Sequence, residues 1–223
     1  MKTTILFILT SLVYAFIITD LPSALISQHA KQVKDTNGNP ILPGSRYLIL
    51  PAFRSADGGG ISLGRTTANS ECPVTIQQDY FEVVTGLPVK FSIAGVDIST
   101  GAILTGTPLD IEFAEKPECA TSSKWHFEGD DFPREWVDIG GVHHENRSVL
   151  NGSFKIEKYC FAYKLVFCPI FTSPLGLCFD IGRQDDDNNG RRLILTEEGD
   201  PAFRVVFVHA DVDDAANRIS SIL

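Results

Sequence analysis

Five cysteines, one histidine cluster, an acidic run and a glycine run are the residues here whose chemistry could define a function. The cysteines are Cys72, Cys119, Cys160, Cys168 and Cys178. None forms a Cys-x-x-Cys pair and no histidine stands at finger spacing, so a zinc site is not expected. Cys168 and Cys178 bracket the connection between two apolar strand-like runs, Tyr163–Pro169 and Phe179–Gly182. Cysteines placed in that way read as a disulfide-stapled hairpin, which implies an oxidising compartment. His143-His144-Glu145 is a poor metal site, because neighbours on a strand point to opposite faces; it reads as a solvated loop. Asp185–Asp187 lacks the downstream bidentate glutamate of a calcium loop, so it and the following Asn188-Asn189-Gly190 read as an acidic turn. Gly58-Gly59-Gly60 lacks the later glycine and lysine of a phosphate cradle and reads as a flexible connector. There is no Gly-x-Ser-x-Gly elbow and no His-Glu-x-x-His. No catalytic residue, metal or cofactor is therefore expected, and the chemistry left is binding.

Those residues must be held by a scaffold, and composition bounds it. With 223 residues the chain is long enough for one domain with its own core. Its formal charge of −9 argues against nucleic acid, which requires a basic face. Lys2, the apolar run Ile5–Ile18 and the small pair Ser23-Ala24 have the order of a secretory leader, giving an expected signal peptide over 1–24 and a mature domain over 25–223. The apolar run is shorter than the roughly 20 residues that span a bilayer, so no membrane anchor is expected.

Short apolar alternations separated by turn residues run through the rest. They predict strands at Arg46–Phe53, Ser62–Thr66, Val74–Gln78, Val89–Ile93, Ala102–Thr105, Leu109–Phe113, Trp125–Phe127 and Trp136–Ile139. Further strands are expected at Ser153–Lys158, Lys164–Cys168, Phe179–Gly182, Arg192–Thr196 and Phe203–Val208, with no convincing helix. This is the pattern of an all-β sandwich or barrel. Asn146-Arg147-Ser148 and Asn151-Gly152-Ser153 are glycosylation sequons between strands, although Asn151-Gly152 also reads as a hairpin turn. An odd count leaves one thiol over; Cys160 reads as a buried small hydrophobe, with a bond to another chain the sharper alternative.

Val33, Asp35, Gly38, Ile41, Tyr47 and Ile49 stand at the spacings that open the plant Kunitz (soybean trypsin inhibitor type) family, which this sequence resembles. The tract Tyr163–Cys168, then Asp180-Ile181-Gly182 and Arg191-Arg192-Leu193, is similar to the same family's C-terminal third. The resemblance covers about 33–210. It implies a β-trefoil of about twelve short strands with pseudo-threefold symmetry. It also implies Cys72–Cys119 and Cys168–Cys178 as the disulfides, which loop entropy makes worth about 4 and about 2.8 kcal/mol.

The function implied is that of a secreted protease inhibitor, a monomer found in the cell wall space or vacuole. It would block an enzyme with an exposed loop lying between two strands of the first trefoil unit. Here that loop carries Val96, Asp97, Ile98, Ser99 and Thr100, with the pocket-filling position near Ser99 and Ile98 beside it. No Arg or Lys occurs from Phe91 to Phe113, whereas the anionic pocket of trypsin takes Arg or Lys. Strong trypsin inhibition is thus not expected; another serine endopeptidase comes first, with a cysteine protease or carboxypeptidase possible. The family's loop-bracing asparagine is replaced by Pro43. The alternative is a non-inhibitory trefoil, a carbohydrate-binding, miraculin-like, storage or defence protein, in which Trp125 and Trp136 could line a sugar site.

Overall fold

A computed structural model describes residues 30–53, 57–95, 101–127, 135–140, 149–170, 177–186, 190–196 and 199–210. The chain clusters into two units, Met1–Lys31 and Gln32–Leu223, and the fold described here belongs to the second.

Twelve strands follow one another: β1 Arg46–Pro51, β2 Ile61–Arg65, β3 Pro73–Gln78, β4 Val89–Ile93, β5 Leu109–Phe113, β6 Trp125–Phe127, β7 Val137–Ile139, β8 Gly152–Tyr159, β9 Ala162–Pro169, β10 Phe179–Asp186, β11 Gly190–Leu195 and β12 Val205–His209. Six of them pair in the order β12-β1-β4-β5-β8-β9, and Val205 of β12 meets Tyr163 of β9 to close the ring. Closure removes free sheet edges, which is how small antiparallel proteins avoid edge-to-edge pairing. The other six make the hairpins β2–β3, β6–β7 and β10–β11, joined where β3 pairs with both β11 and β7. One barrel pair and one hairpin therefore recur in each of β1–β4, β5–β8 and β9–β12. The fold is a β-trefoil.

Alternation within the strands explains the core. Leu109, Ile111 and Phe113 of β5 point inward while Asp110 and Glu112 are only half-buried. Two runs of aromatic rings fill the interior. One links Tyr47, Phe91, Phe207 and Tyr163, with centroids 5.5–6.1 Å apart. The other links Phe113, Trp125, Phe154, Phe127 and Phe167, the closest pair being Phe127 and Phe167 at 4.6 Å. Both disulfides form as expected, Cys72–Cys119 and Cys168–Cys178. Trp125 is buried in the core, and Trp136 lies under the Arg192 guanidinium at 3.9 Å. Neither tryptophan offers an open sugar platform.

Five local expectations are corrected. Ala102–Thr105 is not a strand: Leu104 makes one isolated bridge to Gln32, because Ile103 is claimed by the N-terminal segment. The acidic run is not all turn, since β10 continues through Asp186 and β11 begins at Gly190. Asn151-Gly152 is not a hairpin turn either, as Gly152 opens β8 opposite Pro169. Cys160 is exposed, not buried. Tyr159 and Ala162 pair directly, so Cys160-Phe161 is a two-residue hairpin loop, and Cys160 takes φ +54° at its first position. A positive φ at the first of the two loop positions and not at the second is what a type II′ turn requires.

Gly58-Gly59-Gly60 is the fifth. It is a buried, fixed tract and not a flexible connector. The Gly59 and Gly60 amides donate to the Asp79 and Val84 carbonyls, and the Asp79 amide donates to Gly60. A Cβ on Gly60 would sit 2.1 Å from the Thr85 carbonyl oxygen. Around it, Arg183 and Arg191 donate to the Asp57 carbonyl, and Arg183 also reaches Gln78 at 2.7 Å. A Gly60→Ala substitution must therefore push backbone away from backbone. We expect a loss of about 3 kcal/mol in chemical denaturation, at the upper end for overpacking; wild-type stability would show that the segment yields.

Candidate functional site

The opening signature is a local lock. Asp35 is buried, and its Oδ1 accepts hydrogen bonds from the Asn37 and Asn39 amides at 2.9 and 2.8 Å. A carboxylate that caps its own following turn in this way fixes the chain without help from a helix or sheet. Gly38 supplies the positive φ the turn requires. Val33 and Ile41 then go fully into the core, and the Ile41 amide donates to the Val33 carbonyl.

This locked segment holds one limb of the loop that joins β4 to β5. The Val33 amide donates to the Ile103 carbonyl at 2.8 Å, and the Ile103 amide donates to Ile41 at 2.9 Å. Ile103 itself is fully buried. On the other limb, Ile93 pairs with Leu109, the Ala94 amide donates to the Pro108 carbonyl, and Gly95 turns the chain at φ +76°. The return limb is tied to the second trefoil unit, where the Gly106 amide donates to the Ile156 carbonyl of β8. The tip, Val96, Asp97, Ile98, Ser99 and Thr100, lies outside the described residues. Gly101 is exposed just beyond it. The loop joins the first and second trefoil units, so the expectation that it lies within the first is corrected; β4 already completes the first unit, and the chain beyond it leads into β5 of the second.

Pro43 is half-buried in the turn Leu42–Ser45, which is fixed by the Gly44 amide on Phe91 and the Leu42 amide on the Tyr47 hydroxyl. It brings no side-chain donor to the loop. Asn151 is exposed ahead of β8; Asn146, with His143, His144 and Glu145, lies outside the described residues. Among the described residues no group of three or more His, Cys, Asp or Glu side chains is arranged to hold a metal.

A second feature, on the flank of the barrel, was not legible in the sequence. The β8–β9 hairpin tip sets Lys158, Cys160 and Phe161 in solvent, and Phe161 packs edge-on against Phe53 with centroids 5.1 Å apart. The Arg204 guanidinium lies over Phe53 and Tyr159, and Lys158 Nζ lies over Tyr163 at 4.4 Å. Next to them Lys164 bonds Asp180 at 2.6 Å and lies 3.6 Å from Glu157. Burial works against its charge, but the Asp180 hydrogen bond and the two carboxylates outweigh it and raise its pKa above the ordinary lysine value.

A β-trefoil that clamps a short inter-unit loop from both limbs, with two disulfides, defines a class of loop-presenting binding scaffold. The chain belongs to the legume Kunitz family, whose model is described as "Trypsin and protease inhibitor" and matches residues 33–209. It is 50% identical over 211 residues to the Kunitz-type trypsin inhibitor-like 2 protein of Pisum sativum, covering 93% of each chain. It is 46% identical to subtilisin inhibitor CLSI-II of Canavalia lineata, covering 83% of this chain and 96% of that one. Among solved structures it is similar to a Kunitz type trypsin inhibitor from Cicer arietinum. That match has a TM-score of 0.72 and 53% identity, covering 81% of this chain and 99% of the other.

Proposed function

We propose that the chain is a secreted inhibitor of serine endopeptidases, acting without catalysis by placing 96–100 in the enzyme's cleft as a tightly held likeness of substrate. Ser99 fills the primary pocket and Ile98 the neighbouring one. The observation that carries this reading is the double anchoring of the loop. One limb is fixed through Ile103 to the N-terminal segment and the other through Ala94 to Pro108. Fixing both ends before docking lowers the entropic cost of binding, and protease–inhibitor pairs change little in backbone on association. The absence of Arg and Lys from Phe91 to Phe113 directs the loop to a small or apolar pocket, of the kind subtilisin- or elastase-type enzymes have, and away from trypsin. Export through the leader at 1–24 and glycosylation at the exposed Asn151 belong to the same reading.

The test is titration of a panel of trypsin, chymotrypsin, elastase and subtilisin with the mature protein. Tight inhibition of at least one apolar-pocket enzyme is expected. Ile98→Asp should weaken that inhibition at least about a hundredfold, because a carboxylate must then be buried unpaired in an apolar subsite. Unchanged potency would refute the loop assignment.

A further inference from the structure

We propose that Phe53, Tyr159, Phe161, Lys158 and Arg204 form a binding site for an acidic polysaccharide, a polymer whose sugar rings carry carboxylates. The inference does not rest on the inhibitory reading above and concerns a different part of the molecule.

Three segments build the site. The Ala52 amide donates to the Arg204 carbonyl at 3.0 Å, just past the pairing of Pro51 with Val205, and so sets Phe53 beside Arg204. The β8–β9 hairpin tip supplies Lys158, Tyr159 and Phe161, with Phe161 against Phe53. β1 pairs antiparallel with β4. The end of β1 that leads to Phe53 is therefore opposite to the end of β4 that leads to 96–100, and the two sites are separate.

The cations are held ready and are not neutralised. The exposed Arg204 guanidinium lies over the Phe53 ring at 5.2 Å and over the Tyr159 ring at 6.0 Å. Stacking on rings leaves its N–H donors for a carboxylate. Lys158 Nζ lies over Tyr163 and donates to the Phe161 carbonyl at 3.3 Å, with further hydrogens to give. Among the described residues no carboxylate lies within ion-pair distance of either cation, and the nearby Asp180 and Glu157 are both engaged by Lys164. In a protein of formal charge −9, this is a place that receives an anion. Phe161, 62% exposed, and Phe53, 46% exposed, add an apolar surface beside the charges. Rings next to donors match an acidic sugar, whose C–H face is apolar and whose carboxylate stands at the edge. Size selects among acidic partners. Two rings and two cations fall well short of the about 800 Å² per side of a stable protein interface. A polymer with a carboxylate on every sugar needs only a few sugars at the site, and offers many equivalent places to bind along one chain.

The experiment measures binding of the mature protein to immobilised polygalacturonate at low and high salt, with poly-L-glutamate and neutral dextran as comparison polymers. Polygalacturonate should bind, with release at high salt, and both other polymers should bind at least about tenfold more weakly. The variants are Lys158→Gln/Arg204→Gln and Phe161→Ala, each checked for a wild-type melting temperature. A control pair, Arg65→Gln/Lys116→Gln, removes the same charge elsewhere: Arg65 pairs with Pro73, next to Cys72, and Lys116 lies near Cys119. The site pair should weaken binding to polygalacturonate about tenfold, as two exposed ion pairs allow. Phe161→Ala should weaken it about fivefold, the scale of an aromatic contact. The control pair should bind as the wild type does. No binding to polygalacturonate would overturn the proposal, and so would an equal loss in the control pair. Equal binding of poly-L-glutamate, or wild-type binding in Phe161→Ala, would reduce the patch to charge alone and overturn it too. Protease inhibition is read separately, so failure of the loop reading leaves this result standing.

Discussion

A Ser99→Arg variant is expected to inhibit trypsin at least about a hundredfold more tightly than the wild-type protein, a gain typical of filling a buried hot-spot pocket. The scaffold needs no change for this. The limbs are held by backbone hydrogen bonds at Ala94, Ile103 and Gly106 and by the buried Ile103 side chain, none of which the substitution touches. What the wild-type loop lacks is a cation for the aspartate at the base of trypsin's pocket. A guanidinium there exchanges water for a charged hydrogen-bonded partner, among the stronger contacts available. Inhibition constants against trypsin for Ser99→Arg and Ile98→Arg, measured side by side, decide the register. If Ile98→Arg gains and Ser99→Arg does not, the pocket-filling position lies one residue earlier. If neither gains, the loop does not enter the cleft in the proposed way. Pro43 sharpens the experiment, since it gives the loop no side-chain donor. Slow hydrolysis of the bond that follows the substituted residue, and then loss of inhibition, is the expected companion result.

Much of the strand pattern was legible because inward and outward residues alternate cleanly. The expected limits of Val89–Ile93, Leu109–Phe113 and Trp125–Phe127 coincide with β4, β5 and β6. The threefold plan was not legible as a repeat, because what recurs is the pairing of one barrel pair with one hairpin, not residue identity. Gly58–Gly60 shows a different blindness. Glycine in a sequence signals freedom, but here its use is close approach, and the carbonyls it approaches belong to Val84 and Thr85 on another segment. Cys160 misled for the opposite reason. A positive φ is normally announced by glycine or asparagine, and this hairpin takes it with cysteine. The loop limbs were half legible: the signature Val33, Asp35, Gly38 and Ile41 marked a locked segment, but only the fold shows that Ile103 is what it locks.

Removing Cys72–Cys119 is expected to cost more stability than removing Cys168–Cys178, about 4 against about 2.8 kcal/mol by loop entropy. The first bond encloses a separation of 47 residues, the second 10. At roughly 2–4 °C per kcal/mol for a domain of this size, the first loss lowers the melting temperature by roughly 8–16 °C. The segment it encloses holds β3, β4, the candidate loop and β5, so its opening frees both limbs of the loop at once. Inhibition should therefore fail at a lower temperature in Cys72→Ala/Cys119→Ala than in Cys168→Ala/Cys178→Ala. The exposed Cys160 thiol dictates the background. A single cysteine freed by a one-sided variant could exchange with it, so both pairs are best removed in Cys160→Ser. Denaturant titrations in that background that reverse the order of the two losses would mean that native contacts near Cys168 and Cys178, and not chain entropy, set the strength of these links.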